Sequence, residues 1–308
     1  MLLVAVTGCV TSCYIYEVKV LRKWCDADKS YHYFVGCSDF HDRLNDANGV
    51  QRQEILKKLA LVDKNRTQIL LEDLSSPNNN GIHGCNNYYL TSERGILASL
   101  TKECQKLGLP VNNLEYRYCR VISLGGLLNN SDKSAFEVTT AAQVLVGEFI
   151  NEVAQTVKEI RGYTGNYRLL SWYKTSCNLV EQRIKDYQFE QMKNKSLAAY
   201  FEAHASRYGR MAFLKQLLTF DSNLFDCKLL NAVVSATDKT KVIAFAGGTH
   251  IERTVKQLEK MGYQSVYCSS LSYHKRNELR KCLGSPALLY GGAAQPKPIA
   301  VEILTKYL

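Results

Sequence analysis

The chain has 308 residues, 46% of them hydrophobic and 22% charged, long enough for one large domain or two small ones and ordinary for a globular protein. Five prolines, no internal repeat and no low-complexity run longer than Asn78-Asn79-Asn80 exclude disordered, fibrous and solenoid architectures. The formal charge of +10, from 39 basic and 29 acidic residues, would suit an anionic partner. The basic residues are scattered, though, usually beside an acid as in Glu252-Arg253. The densest cluster, His274-Lys275-Arg276 with Arg280-Lys281, falls at helical spacing and reads as a solvated helix face, so nucleic acid is not the expected partner.

Near the N-terminus, Val6-Thr7-Gly8-Cys9 has the look of a lipoprotein processing box. It lacks a basic flank, and the apolar run Met1 to Val6 is too short for a signal, so the segment reads as a buried first strand. A start lying further upstream would open the alternative of export. His32 to Cys37 is the next strand, followed by a polar turn, Ser38 to Asn48, and a helix with Val50, Ile55, Leu56, Leu59 and Val62 on one face. Thr67 to Leu71 is another strand, running through Glu72 into a Gly/Asn-rich loop. Residues 91–107 form a helix stopped by Gly108 and Pro110, and Tyr116 to Ser123 a third strand.

From about Ser134 to Thr219 helical patterns dominate. Ala141, Val144, Leu145, Phe149, Val153 and Val157 share one face, and Tyr200, Phe201, His204 and Tyr208 share another. This segment reads as a helical insertion packing over the sheet. The α/β pattern returns with a strand at Lys241 to Ala246, the turn Gly247-Gly248-Thr249, and a helix from His250 to Met261 ended by Gly262. Ile251, Val255, Leu258 and Met261 form its buried stripe. Ser265 to Ser269, a short helix near His274 to Cys282 and a strand near Pro298 to Leu304 follow. Alternating strands and helices predict a single α/β domain with a largely parallel sheet, its core drawn from residues 31–123 and 241–304. No segment is apolar enough to span a bilayer.

Chemistry concentrates where strands end. Gly247 and Gly248 let the backbone turn sharply and come close to another group, and Thr249 with Glu252 makes a capping box. His250 then lies in the first helical turn at the carboxyl end of a strand, where open α/β sheets bind ligands, and can serve as metal ligand or general base. His41 follows the strand His32–Cys37 and is flanked by Asp39 and Asp42, which can orient its ring. Glu72 stands at the tip of Ile69-Leu70-Leu71, where a carboxylate needs a partner. In a parallel sheet these three meet at one edge, as a three-ligand site for a divalent metal (Mn, Co or Zn) or as a metal-free site with Glu72 as base. His83, between glycines in the following loop, and Arg94, at the start of a helix, are candidates to contact substrate alongside Gly247 and Gly248.

Eleven cysteines from Cys9 to Cys282 contain no CxxC pair, which excludes a zinc ribbon and a thioredoxin motif. They read as free thiols in a reducing compartment, which favours the cytoplasm, and none is marked as a nucleophile. No P-loop, GxGxxG, GxSxG or HExxH is present, against standard nucleotide kinases, dehydrogenases, α/β-hydrolases and zinc-helix proteases.

Ala246-Gly247-Gly248-Thr249-His250 with its following helix and Gly262-Tyr263, Leu70-Leu71-Glu72, and the strand ending near His41 together resemble the superfamily of TraB/PrgY proteins, Tiki metalloproteases, erythromycin esterases and ChaN-like haem-binding proteins. The resemblance covers roughly residues 31–123 and 241–304. It departs from the family between Gly36 and His41, a longer spacing than the usual two intervening residues, so Asp39 or Asp42 can stand in for His41. It implies a hydrolase of peptide or ester bonds, metal-dependent or metal-free. The alternative is a non-catalytic module that binds a haem-type ligand or a protein in the same crevice.

Overall fold

The computed structural model describes residues 14–40, 50–72, 96–114, 145–164, 171–186, 189–196, 199–200 and 207–270. They group into two compact units, the first drawn from Met1–Ser76, Ser92–Asn113 and Val233–Leu308 and the second from Pro77–Thr91 and Leu114–Ala232.

Among its described residues the first unit has six strands: β1 (Tyr14–Cys25), β2 (Ser30–Phe40), β3 (Thr67–Leu71), β4 (Val111–Asn113), β5 (Lys241–Gly247) and β6 (Gln264–Ser270). They lie in the order β4-β3-β5-β2-β1-β6. β4, β3, β5 and β2 pair parallel, whereas β1 is antiparallel to both β2 and β6. The sheet is therefore mixed and not largely parallel. The departure comes from β1, whose charged positions hide a strand. In Glu17-Val18-Lys19-Val20-Leu21, Val18 and Val20 are buried in the core while Glu17, Lys19 and Leu21 occupy the other face. This period-two alternation is that of an antiparallel strand with unlike faces.

A four-residue turn, Asp26-Ala27-Asp28-Lys29, joins β1 to β2, with Lys29 in the left-handed region at φ 51°. Asp28 anchors the turn. Hydrogen bonds from His32 and Ser30, with a smaller one from Cys25, hold its carboxyl well below the usual carboxylate range. β2 extends to Phe40, so Ser38, Asp39 and Phe40 continue the strand where a polar turn is predicted.

Helices α1 (Val50–Leu59) and α2 (Ile96–Lys106) belong to this unit. Ile55, Leu59, Val62, Leu100 and Cys104 join Val35, Cys37, Ile69, Leu71, Ile243 and Phe245 in one apolar core. α2 stops at Gly108 (φ 65°). The N–H of Leu109 donates to the carbonyl of Cys104 and that of Gly108 to Gln105, which is the Schellman arrangement the predicted glycine stop calls for. The same arrangement closes the last described helix, α6 (Gly248–Lys260): Tyr263 N–H reaches Leu258, Gly262 N–H reaches Glu259, and Gly262 takes φ 89°.

α6 lies against β2 and β5 with Ile251, Val255 and Leu258 buried as the periodicity predicts, while Met261 is only half-buried. Its approach is set by Gly36, since a Cβ there would meet Ile251 Cγ2 at 2.7 Å and Phe34 Cε1 at 3.0 Å.

The described residues of the second unit are mainly helical: α3 (Val146–Thr164), α4 (Ser171–Asp186), a 3₁₀ turn (Phe189–Met192) and most of α5 (Arg207–Ser235). Val146, Phe149, Val153, Val157 and Ile160 of α3 are buried, as are Tyr173, Cys177 and Val180 of α4 and Leu224, Phe225 and Leu230 of α5. Leu145, predicted on the buried face, is exposed because α3 begins one residue later. Arg161 clamps Glu181 through two hydrogen bonds of 3.1 and 2.7 Å, tying α3 to α4. Among the described residues no helix is long and apolar enough to cross a membrane. The predicted elements at Met1–Val6, Tyr116–Ser123, His274–Cys282 and Pro298–Leu304 lie outside the described residues.

Two packing predictions follow from α6. Gly36→Ala should destabilise the protein by about 1–3 kcal/mol in urea denaturation, because the β-branched Ile251 cannot swing its methyl aside. Pairing it with Ile251→Ala should cost less than the sum of the two single changes. Full additivity would mean that the two positions do not touch. Thr254, buried on α6 with its hydroxyl lacking a partner among the described residues, should tolerate Thr254→Val with unchanged or higher stability.

Candidate functional site

β5 passes into α6 without a loop. Gly247 is both the last residue of the strand and the N-cap of the helix, with φ −56° and ψ 141°, so the predicted capping box of Thr249 and Glu252 does not form. Neither Gly247 nor Gly248 takes a positive φ, and the sharp turn does not depend on glycine's left-handed freedom. What secures the junction is Glu72. Its Oε2 accepts the N–H of Gly247 at 2.7 Å, the bond that a capping-box acid would make from within the helix. A carboxylate at this end of a helix also gains from the helix dipole.

The second oxygen of Glu72 faces the site's other predicted member. His250 Nε2 stands 3.5 Å from Glu72 Oε1, with the two side chains 8% and 2% exposed. Glu72 is fixed from its backbone too, its N–H donating to the carbonyl of Phe245 at 3.0 Å. Thus a dipeptide at the tip of one strand and the first turn of a helix 175 residues later close on each other. Burial of the acid is tolerable because each oxygen has a donor or a cation-forming ring beside it.

The register carries the site across the sheet. Glu72 stands one residue past the Leu71–Phe245 pair, level with Ala246; Ala246 pairs with Ser38, Ser38 with Glu17, and Glu17 with Ser270. Glu17 is a second buried carboxylate. Ser38 donates to its Oε2 at 3.1 Å, and the Lys19 ammonium lies 3.6 Å from the same oxygen. With adjacent strands about 4.8 Å apart, Glu72 and Ser38 stand roughly 10 Å apart along this row, and Ala246 between them contributes only a methyl. A polar row therefore crosses an otherwise apolar face at the carboxyl ends of β5 and β2.

Sequence reasoning missed Glu17 and Ser38. Ser38 falls in the predicted polar turn, and Glu17 sits in a strand whose charges resemble a solvated segment. The recoverable signal is the alternation over Glu17 to Val20. Of the predicted site residues, the structure brings together Glu72, His250 and Gly247, with Gly248 as the first residue of α6. His41, Asp42, His83 and Arg94 lie outside the described residues, and of Asp39 only the backbone is described, paired in register with Gly247.

The pair also meets part of what a divalent metal needs. A separation of 3.5 Å exceeds an ordinary N–H···O bond and matches the roughly 3.4 Å edge of a tetrahedron with bonds of about 2.1 Å. Glu72 and His250 could share one ion on that spacing, but they are two donors, and a catalytic site takes three from the protein. Among the described residues no third His, Cys, Asp or Glu joins them closely enough to share an ion. Burial pushes the thiols of Cys37 and Cys227 far up and that of Cys104 up to about 12, leaving them poor nucleophiles.

Glu72→Ala should lower stability by about 1–3 kcal/mol, because the N–H of Gly247 is then buried without an acceptor. Glu72→Gln keeps an acceptor oxygen and should retain most of that stability. Equal losses for the two variants, read from chemical denaturation, would show that the cap contributes nothing.

Comparison with known protein-family models, curated proteins and solved structures finds no match to this chain.

Proposed function

We propose that the chain is a hydrolase of peptide or ester bonds whose centre is the Glu72–His250 pair. The observation that carries this reading is the burial of that pair against the N-terminus of α6, at the carboxyl ends of β3 and β5. Glu72, held by Gly247 and almost fully buried, acts best as the group that orients and charges the ring. His250, whose Nε2 faces the carboxylate, would take a proton from water through Nδ1. Water oxygen would then bond to the carbonyl carbon, and His250 would return the proton to the departing alkoxide or amine. Backbone N–H groups in the first turn of α6, at Gly248 and Thr249, are the donors suited to the oxyanion.

The resemblance to the Tiki and erythromycin esterase superfamily supports hydrolysis, with or without a metal. A divalent ion held by His41, Glu72 and His250 would polarise the carbonyl and lower the pKa of its water.

Turnover on a panel of activated esters and fluorogenic peptides tests the reading. Both His250→Ala and Glu72→Gln should lower kcat by about 10²–10⁴-fold while leaving the circular dichroism spectrum unchanged. Wild-type turnover in either variant would overturn the mechanism. Metal analysis of untagged protein separates the two forms of it, since a resident ion should be lost in both variants. Tight haem binding by a protein inert on every substrate would instead identify a binding module.

A further inference from the structure

At the other end of β2, six residues and about 20 Å from Ser38, three side chains of different chemistry converge on the β1–β2 turn. The Cys25 sulfur, an Asp28 oxygen and a His32 ring nitrogen all lie within 4.8 Å of one another. Cys25 ends β1, Asp28 sits in the turn, and His32 stands two residues along β2 from Ser30, the partner of Cys25, so that Cys25, Ser30 and His32 share one face of the hairpin. We infer that this hairpin is a binding site for a single divalent transition ion of the zinc class, with Cys25, Asp28 and His32 as its protein ligands.

A thiolate, an imidazole and a carboxylate together select a borderline ion over magnesium or calcium, which prefer oxygen alone. Tetrahedral bonds of about 2.0–2.3 Å place ligand atoms roughly 3.3–3.8 Å apart, so the three need only side-chain adjustment to close on an ion. At present His32 Nε2 and Asp28 Oδ2 lie 2.8 Å apart and share a hydrogen. The ion takes the place of that hydrogen, which passes to Nδ1 or to solvent, and the thiol releases its own proton to solvent. Asp28 is already aimed from outside the ligand set: Ser30 donates to it twice, from its N–H at 3.2 Å and its hydroxyl at 2.8 Å. Such outer-shell support is what fixes a metal-binding carboxylate. The Asp28 side chain is 38% exposed and that of His32 15%, leaving a route for entry and a fourth position for water. The site does not depend on the Glu72–His250 reading, because no residue is shared.

Cobalt(II) titration of the full-length, untagged, reduced protein tests the inference, because a thiolate ligand produces a near-ultraviolet charge-transfer band that the Glu72–His250 pair has no sulfur to give. The band should saturate near one equivalent and be bleached by zinc. Cys25→Ser should abolish it, and Cys25→Asp should bind cobalt without it. His32→Ala should weaken binding by at least the ~10–100-fold typical of losing an outer-shell partner. Cys268→Ser, at an exposed thiol on β6, and Glu72→Gln should leave the band unchanged. Absence of the band in the wild type, its survival in Cys25→Ser, or saturation only at millimolar cobalt (an adventitious ion only) would each overturn the proposal.

Discussion

The hydrogen bond from Gly247 to Glu72 joins three things that would otherwise be independent: the tip of β3, the end of β5 and the start of α6. Its strength comes from circumstance. The acceptor is a carboxylate, the donor belongs to a helix N-terminus, and water is excluded from both. The same carboxylate sets the neighbourhood of His250, so the group that closes the architecture also supplies the charge in the candidate site. A helix that began with its own capping box would not need this acid. The sequence around Thr249 offers such a box, and the fold uses the acid from the neighbouring strand.

That substitution explains why the site was legible in outline and not in detail. An acid after an apolar strand and a His after two glycines were enough to predict that Glu72 and His250 share an edge, because βα order fixes the direction of β2, β3 and β5. β3 and β5 were recognisable from continuous apolar runs, and the ends of α2 and α6 from Gly108 and Gly262, where only a residue at ease with positive φ completes the cap. β1 was not recognisable in the same way. Over Glu17–Val20 its apolar residues are every second one, the intervening charges mask them, and the reversal at Asp26–Lys29 lies in a turn without glycine or proline. Missing β1 turned a mixed sheet into a parallel one and removed Glu17 from view. The Cys25, Asp28 and His32 cluster was hidden for the same reason, since its spacing means something only once residues 25 and 30 are known to face each other.

The polar row also shows how a buried site can be assembled cheaply in packing terms. Gly36, Ala244 and Ala246 keep the centre of the sheet low, which lets α6 settle close and leaves height at the row's margins for Glu17, Ser38 and Glu72. Small residues under the helix and polar ones beyond its edge are two sides of one volume constraint.

The separation of Glu72 and Gly247 along the chain has a further meaning for synthesis. The β1–β2 hairpin needs only a four-residue turn and can close in microseconds once both strands have left the ribosome. β5, which must slide between β2 and β3, arrives some 200 residues later, after the whole helical unit has been made. Until then β2 and β3 each present an open edge to whatever strand is nearby. The nascent chain is thus exposed to mispairing while the intervening residues are made, and the step that ends this exposure is the one that completes the Glu72–His250 pair.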